Sequence, residues 1–229
     1  MALFKPGIAV AEVSGSIGGT VFSHNRGGMY IRNRSVPTNP GSTKQTNIRT
    51  ALAELSAAWA STGPTAQAGW AAWALQNPTT NALGAQITLS GHQAYVSVNH
   101  RIRQAGDSVL NSPVPGNAPA ALLTLSAVGS EATSVITLTW TATPLAASQR
   151  LWIWAALLDS AGIKNVQNYL RLVKISDKAQ ATGLTIGDEV EAVFGNLEQY
   201  QTLHLRCAVY DSTTGLISQP RAATCTIGA

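Results

Sequence analysis

Leu203-His204-Leu205-Arg206-Cys207-Ala208-Val209-Tyr210 alternates without a break. Leu203, Leu205, Cys207 and Val209 fall on one side of an extended chain, and His204, Arg206, Ala208 and Tyr210 on the other, because successive side chains of a strand point to opposite faces. The segment reads as a strand with one face turned to a core. The same period recurs around it. Leu123 and Leu125 open one run, and Ile136, Leu138 and Trp140 alternate in the next. Leu151, Ile153 and Ala155 alternate against Trp152 and Trp154, which predicts a strand buried on both faces. Leu170 to Ile175, Leu184 with Ile186, and Ala223, Cys225 and Ile227 complete the series. Short strands at this spacing predict an antiparallel β-sandwich over residues 121–229.

Ile136-Thr137-Leu138-Thr139-Trp140 resembles the second strand of a fibronectin type III or related immunoglobulin-like domain. Leu203 to Tyr210, followed by Gly215, Ser218 and Pro220, resembles its last hairpin. The resemblance implies a tyrosine corner supplied by Leu197 and Tyr200. Cys207 and Cys225 are not spaced like the inter-sheet disulfide of antibody domains. Two readings stay open for them: small buried hydrophobes, or a disulfide in an oxidising setting.

Upstream, Pro113, Pro115, Gly116, Asn117 and Pro119 mark residues 107–120 as a linker. Before it the period changes to that of helices, and residues 39–106 read as a small three-helix unit. Ser42 with Gln45 fits a capping box, and Ile48, Leu52, Leu55 and Trp59 then recur on one helical face. Gly63-Pro64 ends that helix. A second runs from about Thr65 to Gln76 and carries Trp70 and Trp73. A short strand, Gln86–Leu89, precedes a third, which begins at a second capping box, Ser90 with Gln93. Tyr95, Val98 and Ile102 form its apolar face and Gly106 its end. Helical spacing makes core packing the account of the tryptophans in this unit.

Residues 1–38 form the remaining segment, an extended Gly/Arg-rich arm. Ile8, Val10 and Val13 suggest one strand, and Thr20–Phe22 and Met29–Arg32 a hairpin across Asn25-Arg26-Gly27-Gly28. A glycine-rich backbone is costly to order alone and approaches another surface closely. The run Gly18-Gly19-Thr20-Val21-Phe22-Ser23, then Arg26-Gly27-Gly28, Tyr30, Arg32, Arg34 and Asn39-Pro40, leads into the tryptophan-bearing helices. Through about residue 106 it resembles a family of structural proteins from tailed bacteriophages and related prophages. That resemblance implies an assembled particle and no defined catalytic activity.

Composition points the same way. Charged residues make up 11% of the 229, well below the usual quarter, which suits extensive contact with partners. The net charge of +4 is uneven: residues 1–110 carry eight Lys/Arg against Glu12, Glu54 and Asp107. A basic first half suits an acidic protein surface or nucleic acid. Because the aromatics are not interleaved with the arginines as in a single-strand platform, docking on an acidic protein neighbour is the preferred use. The start Met1-Ala2-Leu3-Phe4-Lys5-Pro6 lacks the pattern of a signal peptide, and Leu151–Leu158 is too short an apolar run to span a bilayer. The expectation is synthesis in a bacterial cytoplasm, residence in a virion and no membrane contact.

No catalytic, metal or cofactor site is expected. His24, His92, His100 and His204 have no Cys, Asp or Glu at ligand spacing. Asp188, Glu189 and Glu191 cluster after Gly187, where acids suit the start of a short helix. Gly15 to Thr20 lacks the Gly-Lys-Ser/Thr ending of a phosphate loop. The expected role is a non-enzymatic virion component, a head or neck decoration, cement or collar protein, with a tail or fibre-attachment protein as the alternative. It would be present in several copies among capsid, neck or tail subunits. Gly18, Gly19, Gly27 and Gly28 would allow close approach; Arg26, Arg32 and Arg34 would reach carboxylates; Tyr30 and Ile31 would be apolar anchors. The rival class is a host-surface binding module, in which Trp152 and Trp154 form an exposed stacking platform for a glycan or protein.

Overall fold

A computed structural model describes residues 2–3, 7, 12–25, 28–36, 38–80, 85–141, 143, 145–160, 162–163 and 165–229. It divides into two compact units, Met1–Asn47 and Ile48–Ala229.

In the first unit, strands β1 (Ala2–Leu3), β2 (Gly15–Ile17), β3 (Thr20–Asn25) and β4 (Gly28–Asn33) form one antiparallel sheet in the order β1-β4-β3-β2. Pairing of β3 with β4 runs from Thr20 opposite Asn33 to Asn25 opposite Gly28. The hairpin therefore turns where the glycine spacing places it. Arg26 and Gly27 lie outside the described residues, as do Ile8 and Val10 of the strand expected before the hairpin. Val13 belongs to no strand.

Helices α1 (Thr43–Ser61), α2 (Pro64–Gln76) and α3 (Gly91–Gln104) follow, with a small ladder of β5 (Thr79–Thr80) and β6 (Gln86–Ile87) between the last two. Pro64 opens α2 at a position where its missing N–H has no intrahelical partner to lose. Ser90 and Gln93 close the full capping box on α3. The tryptophans are packing residues: Tyr95 lies at ring-centroid distances of 5.3 Å from Trp59 and 5.6 Å from Trp70, and Trp70 lies 5.7 Å from Trp73. The expected face of α1 is only half used. Leu55 is buried, whereas Ile48 and Leu52 are 50% and 41% exposed.

The C-terminal part holds β7 (Thr124–Ser130), β8 (Val135–Thr141), β9 (Gln149–Leu158), β10 (Arg171–Ile175), β11 (Leu184–Thr185), β12 (Thr202–Asp211) and β13 (Arg221–Gly228), with α4 (Gly187–Phe194) between β11 and β12. Hydrogen bonding runs in the order β10-β9-β12-β13-β7-β8-β11. The strands curl into two layers, β7-β8-β11 facing β10-β9-β12-β13, around Ile136, Leu138, Leu151, Ile153, Leu203 and Leu205. This is an immunoglobulin-like arrangement. It is not purely antiparallel as expected. Ile227 and Gly228 of β13 pair in parallel with Gly129 and Ser130 of β7, joining the layers at one edge. The tyrosine corner is absent too: Tyr200 is 74% exposed at φ 69°, and only Leu197 enters the core.

The largest departure concerns the helices. They do not stand apart behind a linker. The outer face of β9 and β12 carries Trp152 and Tyr210, which share a second buried cluster with Leu55, Trp70, Tyr95, Val98 and Ile102. Gly215, at φ +68° in the β12–β13 connection, lets that turn close on α3; a Cβ there would lie 2.5 Å from Val98. The Pro/Gly-rich segment is itself fastened. Asn99, fully buried, donates to the Leu110 carbonyl and accepts from its N–H, at 3.0 and 2.8 Å. Trp70 Nε1 donates to the Asn111 carbonyl at 2.9 Å. Asp107 pairs with Arg150 at 3.4 Å and Lys178 at 3.0 Å.

Candidate functional site

The sheet of the first unit has an unusual balance. Met1–Asn47 contains five Lys/Arg against Glu12 alone, so it holds the chain's entire net charge of +4. Strand pairing assigns its faces, since directly opposed residues share a side. Ile17, Thr20, Phe22, Met29 and Ile31 lie on one; Ser16, Val21, Ser23, Tyr30 and Arg32 lie on the other. The two expected anchors, Tyr30 and Ile31, thus point to opposite faces, and Arg32 shares its side with Tyr30. Gly18 and Gly19 make the β2–β3 turn, and Gly19 accepts the backbone N–H of Arg34 at 2.8 Å. Gly28 opens β4 at φ 111°. Arg32 and Arg34 are exposed, with no ion pair among the described residues. None of the described side chains of residues 12–47 is buried, and Ile17 and Val36 are 74% and 76% exposed. Sheets of this size ordinarily depend on packing of one face.

The second candidate region lies on the sandwich. Trp152 is only 4% exposed, with its ring 5.7 Å from Trp154 and 5.6 Å from Tyr210. It is a core residue under the helices rather than an exposed platform. Trp154, half-buried, sits directly across the ladder from Arg206. Both tryptophans border an open cleft of about 410 Å³ with Arg101, Gln167, Arg206 and Ser218. Arg101 is placed there by the last turn of α3, where positive charge also suits the helix dipole. Burial holds its guanidinium below the ordinary arginine range, opposed by the Tyr210 hydroxyl. Burial, and next the Asp107 charge, push the Tyr210 hydroxyl well above the usual tyrosine range, against the pull of Arg101 and Arg150. Sequence alternation marks Arg206 as outward, but nothing in the spacing reveals that Arg101, over 100 positions earlier, would reach the same cleft.

Among the described residues no three His, Cys, Asp or Glu side chains gather as a metal site. No described helix is long and apolar enough to cross a membrane. Cys207 and Cys225 are free thiols. Cys207 pairs with Arg221 and Cys225 with Leu203, so the two sit four ladder positions apart, roughly 13 Å along a strand and out of disulfide reach.

Burial pushes the Cys207 thiol up to about 12, and raises Cys225 and Tyr95 as well. An unfolded Cys207 releases its proton near the ordinary thiol value of 9.0, whereas the folded one keeps it. Above pH 9 the unfolded chain therefore binds fewer protons, and stability falls as pH rises through the interval to about 12. Each such fully buried thiol contributes a slope of about 1.4 kcal/mol per pH unit. The urea midpoint should fall steadily above pH 9, and Cys207→Ala should flatten part of that fall. A midpoint constant to pH 11 would contradict the burial.

No protein-family model and no curated protein matches the chain. Among solved structures it is similar to a Fn3-like protein from Clostridium thermocellum, at 17% identity over 49% of this chain and 97% of that one, with a TM-score of 0.31. FN3tt is similar at 13% identity over 49% of this chain and 98% of that one, with a TM-score of 0.32. The strand order and the two-layer core give the C-terminal half an immunoglobulin-like β-sandwich fold.

Proposed function

We propose that this protein is a non-enzymatic structural component of a tailed-phage virion, docked on neighbouring subunits through its N-terminal sheet. Within that class we place it in the head or neck, as a decoration, cement or collar protein. The observation that carries the reading is the sheet of residues 15–33: it lies in the segment Met1–Asn47 that holds the chain's excess positive charge, and it presents apolar residues on both faces without burying one among those described. A surface of that kind is suited to being covered in an assembly. Arg32 and Arg34 have the planar forks that grip carboxylates of an acidic neighbour, and the Gly18-Gly19 turn admits close backbone approach. The resemblance of the Gly18-to-Pro40 run to tailed-phage structural proteins supplies the particle.

The test compares full-length protein with a variant lacking residues 1–38 for binding to particles stripped of the protein. The buried clusters lie wholly within Ile48–Ala229, so the truncated chain should keep its thermal transition. Its affinity for particles should fall by more than about a hundredfold, in line with loss of several desolvated charged and apolar contacts. Equal binding by the two chains would overturn the docking role of the sheet. Cryo-electron microscopy of intact particles would then name the neighbour, and absence of the protein from mature particles would overturn the virion reading itself.

A further inference from the structure

The cleft beside Trp154 is lined wholly by residues of Ile48–Ala229, and its chemistry points elsewhere. Two arginines line it, Arg101 from α3 and Arg206 from β12. Neither has an ion pair among the described residues. Arg101 donates from Nε to the Ser97 carbonyl at 3.2 Å and from Nη2 to its hydroxyl at 3.4 Å. Arg206 donates from Nη1 to the Gln167 amide oxygen at 3.2 Å. All of these acceptors are neutral, so neither positive charge is compensated by a carboxylate among the described residues. Asp107, the carboxylate that acts on the nearby Tyr210, is already taken by Arg150 and Lys178.

Apart from Ser218 and the Gln167 already named, the remaining lining is apolar: the Trp152 and Trp154 rings, 5.7 Å apart and inclined at 47°, with Leu170, Ile217 and Pro220. Two arginines without an ion pair among the described residues, beside two indole rings, suit an anion with a planar body, because a guanidinium binds a carboxylate bidentately while a ring stacks. The volume of about 410 Å³ suits a small molecule.

We propose that this cleft binds a small planar organic carboxylate, its ring against Trp154 and its carboxylate between Arg101 and Arg206. This goes beyond the assembly reading and does not depend on it.

Benzoate is the probe, with the isosteric neutral benzamide as its partner, titrated into the full-length protein while the indole N–H resonances are followed by NMR. A ligand of so few atoms should bind with a dissociation constant of about a millimolar. Benzoate should move the Trp154 and Trp152 signals to saturation, and benzamide should bind at least about tenfold more weakly. Arg206→Gln and Arg101→Gln should each weaken benzoate by about tenfold and leave benzamide unchanged, with Arg206→Lys intermediate because it keeps charge without the planar fork. Equal binding of the two probes by the unmodified protein would overturn the proposal. So would shifts still linear at about 20 mM benzoate, or undiminished benzoate binding in the folded double variant.

Discussion

Trp152→Ala is expected to lower the free energy of unfolding by about 3–5 kcal/mol, the range for removing a large aromatic from a packed core. Trp152 lies where the sandwich meets the helices, in one buried cluster with Tyr95, Val98, Ile102, Tyr210 and Leu216. Alanine would open a void beneath α3 and strip the contacts that the Tyr210 ring makes at 5.6 Å. The loss should appear as a melting temperature lower by about 10 °C, at a few degrees per kcal/mol for a unit of this size. Near-UV circular dichroism should weaken with it, since the ring also couples to Trp154. Trp154→Ala removes a half-buried ring and should cost less than half as much. An unchanged transition for Trp152→Ala would mean that the helices do not cover this face, and would return Trp152 to the role of a surface platform.

Gly187→Ala should be comparably severe for a different reason. A Cβ at Gly187 would stand 1.9 Å from the Ser134 carbonyl oxygen and 3.2 Å from the Val135 Cα. Both neighbours are backbone, so no rotamer change relieves the overlap, and α4 must move away from the start of β8. Ile186, immediately before it, donates its N–H to the Ile136 carbonyl at 2.9 Å and accepts from Val190 at 3.1 Å. Ile186 and Val190 are both fully buried, so displacement of α4 pulls two aliphatic side chains out of the sandwich core. Overpacking of this kind costs about 3 kcal/mol, and more where backbone must shift. Urea unfolding followed by tryptophan fluorescence measures it. A cost under about 0.5 kcal/mol, the range of neutral surface changes, would contradict the close approach of α4 to Ser134.

Much of this architecture is legible in local pattern. Ser90 and Gln93 start α3 where the capping box places it, and Gly63-Pro64 separates α1 from α2. Asn25 and Gly28 bracket a hairpin. Asp188 and Glu189 lie in the first turn of α4. Each of these signals acts within a few residues, through dihedral preference or a hydrogen bond to a neighbouring amide. The candidate cleft was not legible, because Arg101 and Arg206 are brought together by tertiary packing alone. Tyr200 misled for the same reason. Its nearness to β12 suited a corner, yet its side chain turns to solvent and only its backbone N–H is engaged, by the Ile227 carbonyl at 3.0 Å.

Leu203 to Tyr210 shows where the division falls. By itself the sequence determined that this is a strand and that Leu203, Leu205, Cys207 and Val209 enter a core, because alternation is a property of extended backbone. Only the tertiary structure decided the fate of the other side, where Ala208 and Tyr210 are as buried as their neighbours. That outcome depends on where the segment after α3 leads the helices. Its course is held by Trp70 with Asn111 and Asp107 with Arg150, pairs more than 40 residues apart. Contacts at such separations form when the whole chain minimises exposed apolar surface and leaves few buried polar groups unpaired, and no local window of sequence contains both partners.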